Sequence, residues 1–491
     1  MCKMEAVLLL IAASMLSSVL NVRDFGAVPD GKTLCTAAIQ KAIDTAAQTP
    51  GTRVDFPGGE YLSGSIHLRS GVEIHIEKGA TLLGSPFHKD YQRGTWNSLI
   101  LAANLHDVSI TGGGTIDGQG ALVAQDILKL VQKGVLKIPP KSWRPSELDR
   151  PEIIEMNDCR NIKVSGVTIK NGCCWVQTYR NCDGMVIDGI KVDSKTYWNN
   201  DGIDIVDCRN CRVSNSFFDA DDDGICLKSD NRKSRCENIE ISKCRIRSSA
   251  SAIKFGTASH GGFHHIRIHD IDIFDTFRSA LALESVDGGI LDDVVAERIK
   301  ARHTGNAFFI RIGHRNLRVP PGQVRNIVLR DFDVEVPAGR PDFGYPFKGP
   351  QFSEPHNICP ASIIGHRDQP IEGITLSNIK IRMPGGGNPA IAHVYNFDQV
   401  PERPTEYPEF TNFGELPAWG LYIRHAKGIT LDNFALEAET NDYRVALAAD
   451  DVHGFTIKGS CRLGRVKRPT IVVHNVKGIH APINIKWQTM P

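Results

Sequence analysis

The chain has 491 residues, and its 57 Lys and Arg residues balance 56 Asp and Glu residues to give a formal net charge of +1. This balance does not favour nucleic acid or an anionic membrane surface as a partner. The length alone would indicate two or three domains, but the repeats described below favour one elongated solenoid, which grows without a larger globular core.

The first predicted element is a secretory signal over residues 1–18. A weakly basic start precedes a mostly apolar run from Ala6 to Leu20, which is too short to span a bilayer. Glu5 interrupts the basic region, and no clean cleavage motif follows. We expect a secreted or periplasmic protein without a membrane partner, with a mature chain of residues 19–491.

A helix is predicted next, near the start of the mature chain. Apolar residues recur at helical spacing on one face, at Ile39, Ala42, Ile43 and Ala46. Such a helix would cover the open end of a solenoid core, which solubility requires.

Short segments of alternating apolar residues then repeat through the middle of the chain, at steps of 23, 26, 28 and 27 residues. The first five are Ile162-Lys163-Val164, Met185-Val186-Ile187, Cys211-Arg212-Val213, Ile239-Glu240-Ile241 and Ile266-Arg267-Ile268. A period in the twenties, with Gly, Asn and Asp between the strands, indicates a parallel β-helix. We predict an all-β, single-domain, right-handed parallel β-helix with an N-terminal capping helix. Long loops are expected near 119–148, 339–368 and 396–416.

Four of the 13 cysteines fall three residues before a strand pattern, at Cys159, Cys182, Cys208 and Cys236. We interpret them as small, half-buried side chains stacked at one corner of successive coils. A zinc or redox pair at Cys208-x-x-Cys211 and disulfide bonds are the alternatives.

Two acidic segments carry the functional prediction, Asn199-Asn200-Asp201-Gly202-Ile203-Asp204 and Asp221-Asp222-Asp223-Gly224-Ile225. Their Asp-Gly-Ile triplets lie 22 residues apart, which is about one coil. Adjacent strands are roughly 4.8 Å apart, so the carboxylates would share one patch. Crowded carboxylates have divergent pKa values, as general acid–base catalysis requires. The alternative is turn formation at strand ends, because Asp-Gly is a common turn pair.

Stacking the triplets aligns three further coils. The inward column becomes Ile203, Ile225, Ile253, Leu281 and Phe308, and the leading polar column becomes Asp201, Asp223, Ser251, Ser279 and Asn306. Asp201 and Asp223 are then vertical neighbours able to hold one water as paired bases. Asp222 points from a different place and can protonate a leaving group. Glu284 and Arg311 are expected to be adjacent, as an ion pair or a sugar-binding couple.

At these residues the chain resembles the family 28 glycoside hydrolases, the polygalacturonase group. The matching stretches are Asn199 to Asp204 and the pair Asp222-Asp223, and the resemblance covers residues 19–486. It implies hydrolysis with inversion of a pectic polysaccharide or oligosaccharide, with Asp222 as general acid and Asp201 and Asp223 activating the water. Acid and base should then stand about 6.5–9.5 Å apart. It implies no cofactor or metal, and we expect a monomer.

Two departures from the family pattern concern substrate binding. The family has Gly-His-Gly where this chain has Ala250-Ser251-Ala252, and Arg-x-Lys where it has Ala282-Leu283-Glu284. In polygalacturonases these basic residues bind the substrate carboxylate, which puts simple endo-attack on polygalacturonan in doubt here. The residues expected to bind substrate instead are Asp204, Lys228, Lys254, Arg311 and Trp198. For Trp175 the sequence leaves two interpretations open, a core residue or a substrate-binding residue.

The aromatic block from Tyr407 to Trp419 resembles a long C-terminal loop of bacterial family members, and we expect it to wall off one end of the groove and favour exo action. Two rival functions stand beside hydrolysis. One is a pectate or rhamnogalacturonan lyase, whose calcium the aspartates would bind. The other is a non-catalytic glycan-binding β-helix.

Overall fold

The computed structural model describes residues 18–196, 198–342, 358–387, 397–464 and 470–490. Apart from Ser18, the predicted signal segment lies outside the described residues, as do residues 343–357 of the predicted loop at 339–368. No helix within the described ranges is long and apolar enough to cross a membrane.

Strands dominate the structure, and they form three stacks in which successive coils pair in parallel. The stack that carries the acidic segments, here called the site stack, contains the strands Ile66–His67, Asn97–Ala103, Glu152–Asn157, Gln177–Arg180, Ile203–Val206, Ile225–Ser229, Ile253–Ser259, Ala361–Ile364, Ile471–His474 and Trp487–Thr489. The second stack contains Val19–Asn21, Arg53–Phe56, Glu73–Ile76, His106–Gly112, Arg160–Ser165, Asp183–Asp188, Arg209–Ser214, Cys236–Ser242 and Lys477–His480. The third contains Asp30–Leu34, Gly59–Ser63, Ala80–Gly84, Thr115–Asp117, Thr168–Lys170, Lys191–Ser194, Phe217–Ala220, Arg245–Ser248 and Arg462–Leu463.

Six long strands bend around the corners and belong to more than one stack: Gly262–Ser285, Ile290–Ile312, Gln323–Glu335, Ile371–Met383, Ala418–Ala438 and Val445–Lys458. The short strand Gln92–Arg93 pairs in antiparallel with Asn97–Ala103. This architecture is the predicted parallel β-helix.

The corners of the coils explain the recurring asparagines. Asn161, Asn210, Asn238 and Asn326 all have positive φ values, between 54° and 56°. Asparagine adopts this left-handed conformation more readily than most residues. Their side chains also bond between coils, since Asn238 Nδ2 donates to Asn210 Oδ1 at 2.7 Å. The four predicted ladder cysteines are fully buried rather than half-buried, and those described are free thiols.

The interior is apolar along the solenoid, and one buried cluster includes residues from Val22 to Val473. A second buried cluster packs on the outer face of the site stack, which contributes Ile364 and Val472, and it also contains Phe309, Phe397, Phe410 and Phe413. It fixes residues 397–416, here called the wall loop, against the outer surface of the coils.

The helical prediction near the N-terminus is confirmed by α1 (Thr36–Ala46), whose buried residues are Ile39, Ala42, Ile43 and Ala46. The predicted loop at 119–148 is wrong in part, because α2 (Gly120–Gln132) occupies it. Val123, Ala124 and Ile127 give α2 a buried face at helical spacing. The predicted loop at 339–368 ends in a strand, Ala361–Ile364.

The other helical segments are short 3-10 turns. They span Val22–Phe25, His88–Asp90, Glu147–Asp149, Phe397–Gln399 and Phe410–Phe413. The last two lie in the wall loop, which is otherwise irregular, as predicted.

Candidate active site

The two Asp-Gly-Ile triplets lie side by side on adjacent strands of the site stack. The amide of Gly202 donates to the carbonyl of Asp223 at 2.8 Å, and Ile203 pairs with Ile225 in parallel. The predicted inward column is confirmed, because its members pair from coil to coil and all are buried: Ile203, Ile225, Ile253, Leu281 and Phe308.

Each triplet contains glycine because the stacked coils leave no room for a side chain. A Cβ on Gly202 would lie 2.5 Å from the carbonyl oxygen of Gly224. A Cβ on Gly224 would lie 2.6 Å from that of Ala252. The triplet therefore combines an outward carboxylate, a position of close approach and an inward isoleucine.

Asp201, Asp222 and Asp223 form a compact group, here called the carboxylate centre. Each contributes an oxygen that lies within 4.8 Å of the others. Asp222 is partly exposed and accepts hydrogen bonds from Asn199 Nδ2 and from the amide of Asp223, both at 3.0 Å. Oδ1 of Asp201 is buried and has no hydrogen-bond partner among the described residues. Because such an atom is costly to leave unpaired, it is suited to a water or a substrate hydroxyl.

The carboxylate centre is tighter than the sequence predicted. We expected about 6.5–9.5 Å between acid and base, whereas the three oxygens lie within 4.8 Å. The reason is local. The Asp222 side chain turns back to accept the amide of its chain neighbour Asp223, so it does not stand apart across a sugar-wide gap.

Lys228 lies against the carboxylate centre on its N-terminal side. Its Nζ is 3.2 Å from Asp201 Oδ2, contacts Asp204 Oδ1 and lies 3.0 Å from Cys226 Sγ. The residue is only 8% exposed. Lys228 therefore neutralises buried carboxylates, and Asp204 belongs to this ion-pair network.

Lys254 makes the corresponding contact one coil further along. Its Nζ lies 3.4 Å from Asp223 Oδ2 and donates to the hydroxyl of Tyr407 at 2.7 Å. Tyr407 comes from the wall loop, and the residue is 49% exposed. The loop thus reaches the carboxylate centre through a half-exposed tyrosine.

The surroundings separate the pKa values of the two adjacent aspartates. Burial raises the pKa of the Asp223 carboxyl, but Lys254 and Lys228 outweigh it and hold that pKa below its ordinary value. Burial and the negative charge of Asp223 raise the pKa of Asp222. Asp223 is therefore suited to act as a base and Asp222 to carry a proton.

Asp201 differs from the expectation of a second ionised base. Burial and the neighbouring charge of Asp204 raise the pKa of Asp201 well above its ordinary value, against the pull of Lys228. Burial also raises the pKa of Asp204 to about 6. The Asp201 carboxyl therefore favours the protonated form, and Asp223 carries the negative charge of the pair.

Arg311 lies apart from the carboxylate centre. It is paired in register with Glu284, as predicted. Its guanidinium, however, donates to the carbonyls of Gly365 at 3.1 Å and Glu402 at 2.6 Å, and only 2% of the residue is exposed. The structure therefore directs Arg311 to the backbone that anchors the wall loop. Oε2 of Glu284 is buried without a hydrogen-bond partner in the described part of the chain, and burial raises its pKa to about 8.

Of the two tryptophans near the first acidic segment, Trp198 was expected to bind substrate, but Trp175 is the one that is partly exposed. Trp198 is only 8% exposed, and its carbonyl accepts from Arg150 Nη1 at 2.8 Å. Trp175 is partly exposed and lies in the leading column one coil before Asp201, because the amide of Val176 donates to the Asp201 carbonyl at 2.9 Å.

Sequence reasoning missed Arg278, whose charge lowers the pKa of both Asp222 and Asp223. It forms an ion pair with Glu409 of the wall loop at 2.9 Å. A signal was present. Arg278 immediately precedes Ser279 of the leading column, as Asp222 immediately precedes Asp223.

The carboxylates are also spaced so that they could hold a cation. The two such groups among the described residues are Asp201 with Asp222 and Asp223, and Asp201 with Asp204 and Cys226. The ammonium groups of Lys228 and Lys254 already contact three of these carboxylates. Their positive charges oppose the binding of a divalent cation at the same place.

The fold and the site together define a class of protein: a parallel β-helix whose outer face carries a carboxyl suited to donate a proton beside one suited to accept it. Such a pair is what general acid–base catalysis requires. Residues 47–262, which include the whole carboxylate centre, match the family described as "Glycosyl hydrolases family 28".

Two curated relatives show how far the likeness extends. The chain is 30% identical over 333 residues to a "Probable polygalacturonase" of Vitis vinifera, covering 64% of this chain and 60% of that protein. It is 28% identical over 250 residues to an "Exo-poly-alpha-D-galacturonosidase" of Dickeya chrysanthemi, covering 42% of this chain and 41% of that protein. The chain thus spans about half the length of the curated relatives it matches.

Among solved structures, the Family 28 exopolygalacturonase of Yersinia enterocolitica aligns with a TM-score of 0.56 at 20% identity, over 96% of this chain and 79% of that one. A likeness at this identity establishes the fold alone.

Proposed function

We propose that the protein hydrolyses O-glycosidic bonds in a pectic polysaccharide or oligosaccharide and releases galacturonic acid with inversion. The observation that carries this proposal is the carboxylate centre, in which Asp222, whose pKa is raised, adjoins its chain neighbour Asp223, whose pKa is lowered. The names of the curated relatives support galacturonan as the substrate class.

In the proposed mechanism Asp222 donates its proton to the glycosidic oxygen as the bond to the anomeric carbon breaks. A water attacks that carbon and gives its proton to Asp223, so the two carboxyls exchange protonation states. Asp201 orients the water through its unpaired Oδ1. General acid and general base each contribute typically 10²–10⁴-fold to the rate.

Stereochemistry is the decisive test, because carboxyl groups about 5–5.5 Å apart are typical of retaining enzymes. Purified protein is incubated with oligogalacturonides, and the anomeric form of the first product is followed by NMR. Inverted product supports the water-activation scheme, and retained product contradicts it. A product that absorbs in the ultraviolet, or activity lost to a chelator, would indicate a lyase instead. Binding without turnover would indicate the glycan-binding alternative.

Exo action is the proposed mode of attack. The wall loop packs on its own apolar cluster and is tied to the site by the Tyr407–Lys254 and Glu409–Arg278 contacts. A loop fixed this firmly limits the groove on one side and favours binding of a chain end. Among the residues expected to bind substrate, Lys254 is the best placed. Asp204 and Lys228 contribute charge, and Arg311 and Trp198 act through the segments they hold.

We also propose that residues 19–491 form one right-handed domain capped by α1, acting as an exported monomer after loss of residues 1–18. The buried face of α1 and the apolar cluster from Val22 to Val473 support the first part. Fractionation of the native host and analytical ultracentrifugation test the second.

A further inference from the structure

The leading column continues past the carboxylate centre toward the N-terminus, where its side chains become aromatic and basic. Trp175 lies in that column one coil before Asp201. Trp96 packs against Trp175 with 4.4 Å between ring centroids and 46° between the ring planes, and both residues are partly exposed. The Arg180 guanidinium lies 5.5 Å from the Trp96 centroid and 5.7 Å from the Trp175 centroid. Trp96, Trp175 and Arg180 are here called the platform.

Hydrogen bonds to Glu155 hold the Trp96 part of the platform in place. Both oxygens of Glu155 accept backbone amides of the segment that carries Trp96, from Thr95 at 2.6 Å and from Trp96 at 2.9 Å. The platform also joins the carboxylate centre, because Lys228 Nζ lies 4.1 Å from the Trp175 centroid and 3.2 Å from Asp201. The rings are therefore fixed relative to the carboxylates before any ligand binds.

Arg180 gives the platform a positive charge with a replaceable partner. Its Nη1 lies 3.0 Å from Asp230, whose side chain is 50% exposed. An ion pair with so exposed a partner contributes little stability. A ligand carboxylate can take the place of Asp230 and gain the geometric match that guanidinium offers.

We propose that the platform is a subsite for a uronate residue next to the cleaved bond. The solvent-exposed part of the Trp175 side chain contacts the pyranose ring, and Arg180 pairs with the carboxylate on that ring. One coil separates Trp175 from Asp201, a spacing of roughly 4.8 Å, so the bound sugar adjoins the carboxylate centre. The inference rests on the proposed function and adds which residues read the charge of the neighbouring sugar.

The test measures binding in the Asp222→Asn variant, which stops turnover. Calorimetry with trigalacturonate and with its fully methyl-esterified form gives the two dissociation constants. Adding Arg180→Gln is expected to weaken trigalacturonate binding roughly ten- to hundredfold, as for loss of a charged hydrogen bond. Binding of the neutral ester should change less than threefold. Trp175→Ala should weaken both ligands.

Arg245→Gln is the matched control, because Arg245 also lies over an aromatic ring, 4.4 Å from Phe274, but belongs to the third stack. It should leave both constants unchanged. Equal effects of Arg180→Gln and Arg245→Gln would overturn the proposal, as would equal weakening of acid and ester by Arg180→Gln. If no variant binds trigalacturonate, both proposals fail. If Arg180→Gln weakens binding of trigalacturonate but not of its methyl ester, and the protein with Asp222 intact does not hydrolyse oligogalacturonides, only the hydrolase proposal fails.

Discussion

Asp222 and Asp223 are chain neighbours whose side chains meet different surroundings. Asp223 faces two lysines, whereas Asp222 accepts bonds from Asn199 and from the Asp223 amide and lies beside a negative charge. One coil therefore supplies both a proton donor and a proton acceptor, and removing either should be selective.

Replacing the proposed acid tests this assignment. Asp222→Asn keeps the shape of the side chain but carries no transferable acidic proton, so we expect kcat to fall roughly 10²–10⁴-fold. The fold should persist, because the side-chain oxygen of the new Asn can still accept the amide of Asp223, and only the bond from Asn199 Nδ2 is lost. Asp368→Asn, at a side chain that is 79% exposed, is the control. An Asp222→Asn variant with a tenth or more of the activity would contradict the assignment.

The pH profile follows from the directions of the two pKa values. Activity requires ionised Asp223 and protonated Asp222. It should fall toward low pH as Asp223 takes a proton and toward high pH as Asp222 loses one. Lys254 lowers the pKa of both groups. Lys254→Met should therefore move both limbs of kcat/KM to higher pH, and an acid limb that stays in place would refute the role given to Lys254.

At the scale of single elements, the spacing of the coils depends on the triplet glycines. Gly224→Ala would place a Cβ 2.5 Å from Ile246 Cγ2 and 2.6 Å from the Ala252 carbonyl. Overpacking of this kind costs about 1–3 kcal/mol. Chemical denaturation should report that loss, whereas Gly113→Ala, whose Cβ would lie 3.6 Å from Lys78, should cost much less. Equal stability of the two variants would remove the packing explanation of the triplet.

The wall loop provides the second prediction at this scale. Glu409→Gln removes an ion pair whose side chains are only 13% and 14% exposed, which should loosen the loop. We expect products of intermediate length to appear early in digests of long oligogalacturonides, where the unchanged protein gives mainly the terminal sugar. Arg403→Gln breaks an exposed pair on the same loop and serves as the control. An unchanged product pattern for Glu409→Gln would separate the loop from exo action.

The elements also show what sequence reasoning could reach. The register of the triplets was predictable because close approach, apolar interior and polar surface each restrict one residue of Asp-Gly-Ile. Arg278 was within reach through its place before Ser279. The close approach of the three carboxyl oxygens was not predictable, because the turn of Asp222 toward an amide depends on side-chain geometry. The contacts of the wall loop join residues far apart in sequence, such as Lys254 and Tyr407, and no local pattern encodes them.

At the scale of the molecule, the apolar cluster from Val22 to Val473 predicts joint unfolding of the coils. We expect circular dichroism and tryptophan fluorescence to report one coincident urea transition. Two separated transitions would contradict joint unfolding and would show that the solenoid loses cooperativity along its length.

The strict stacking of outward columns has a consequence for how such a surface changes over evolutionary time. Each coil has the same few side-chain positions facing the solvent, whereas its inward positions accept only aliphatic or aromatic side chains. A tryptophan, an aspartate and a serine already occupy equivalent positions of the leading column, at Trp175, Asp201 and Ser251. A new specificity can therefore arise through single substitutions at outward positions, without changes to the apolar core of the coils.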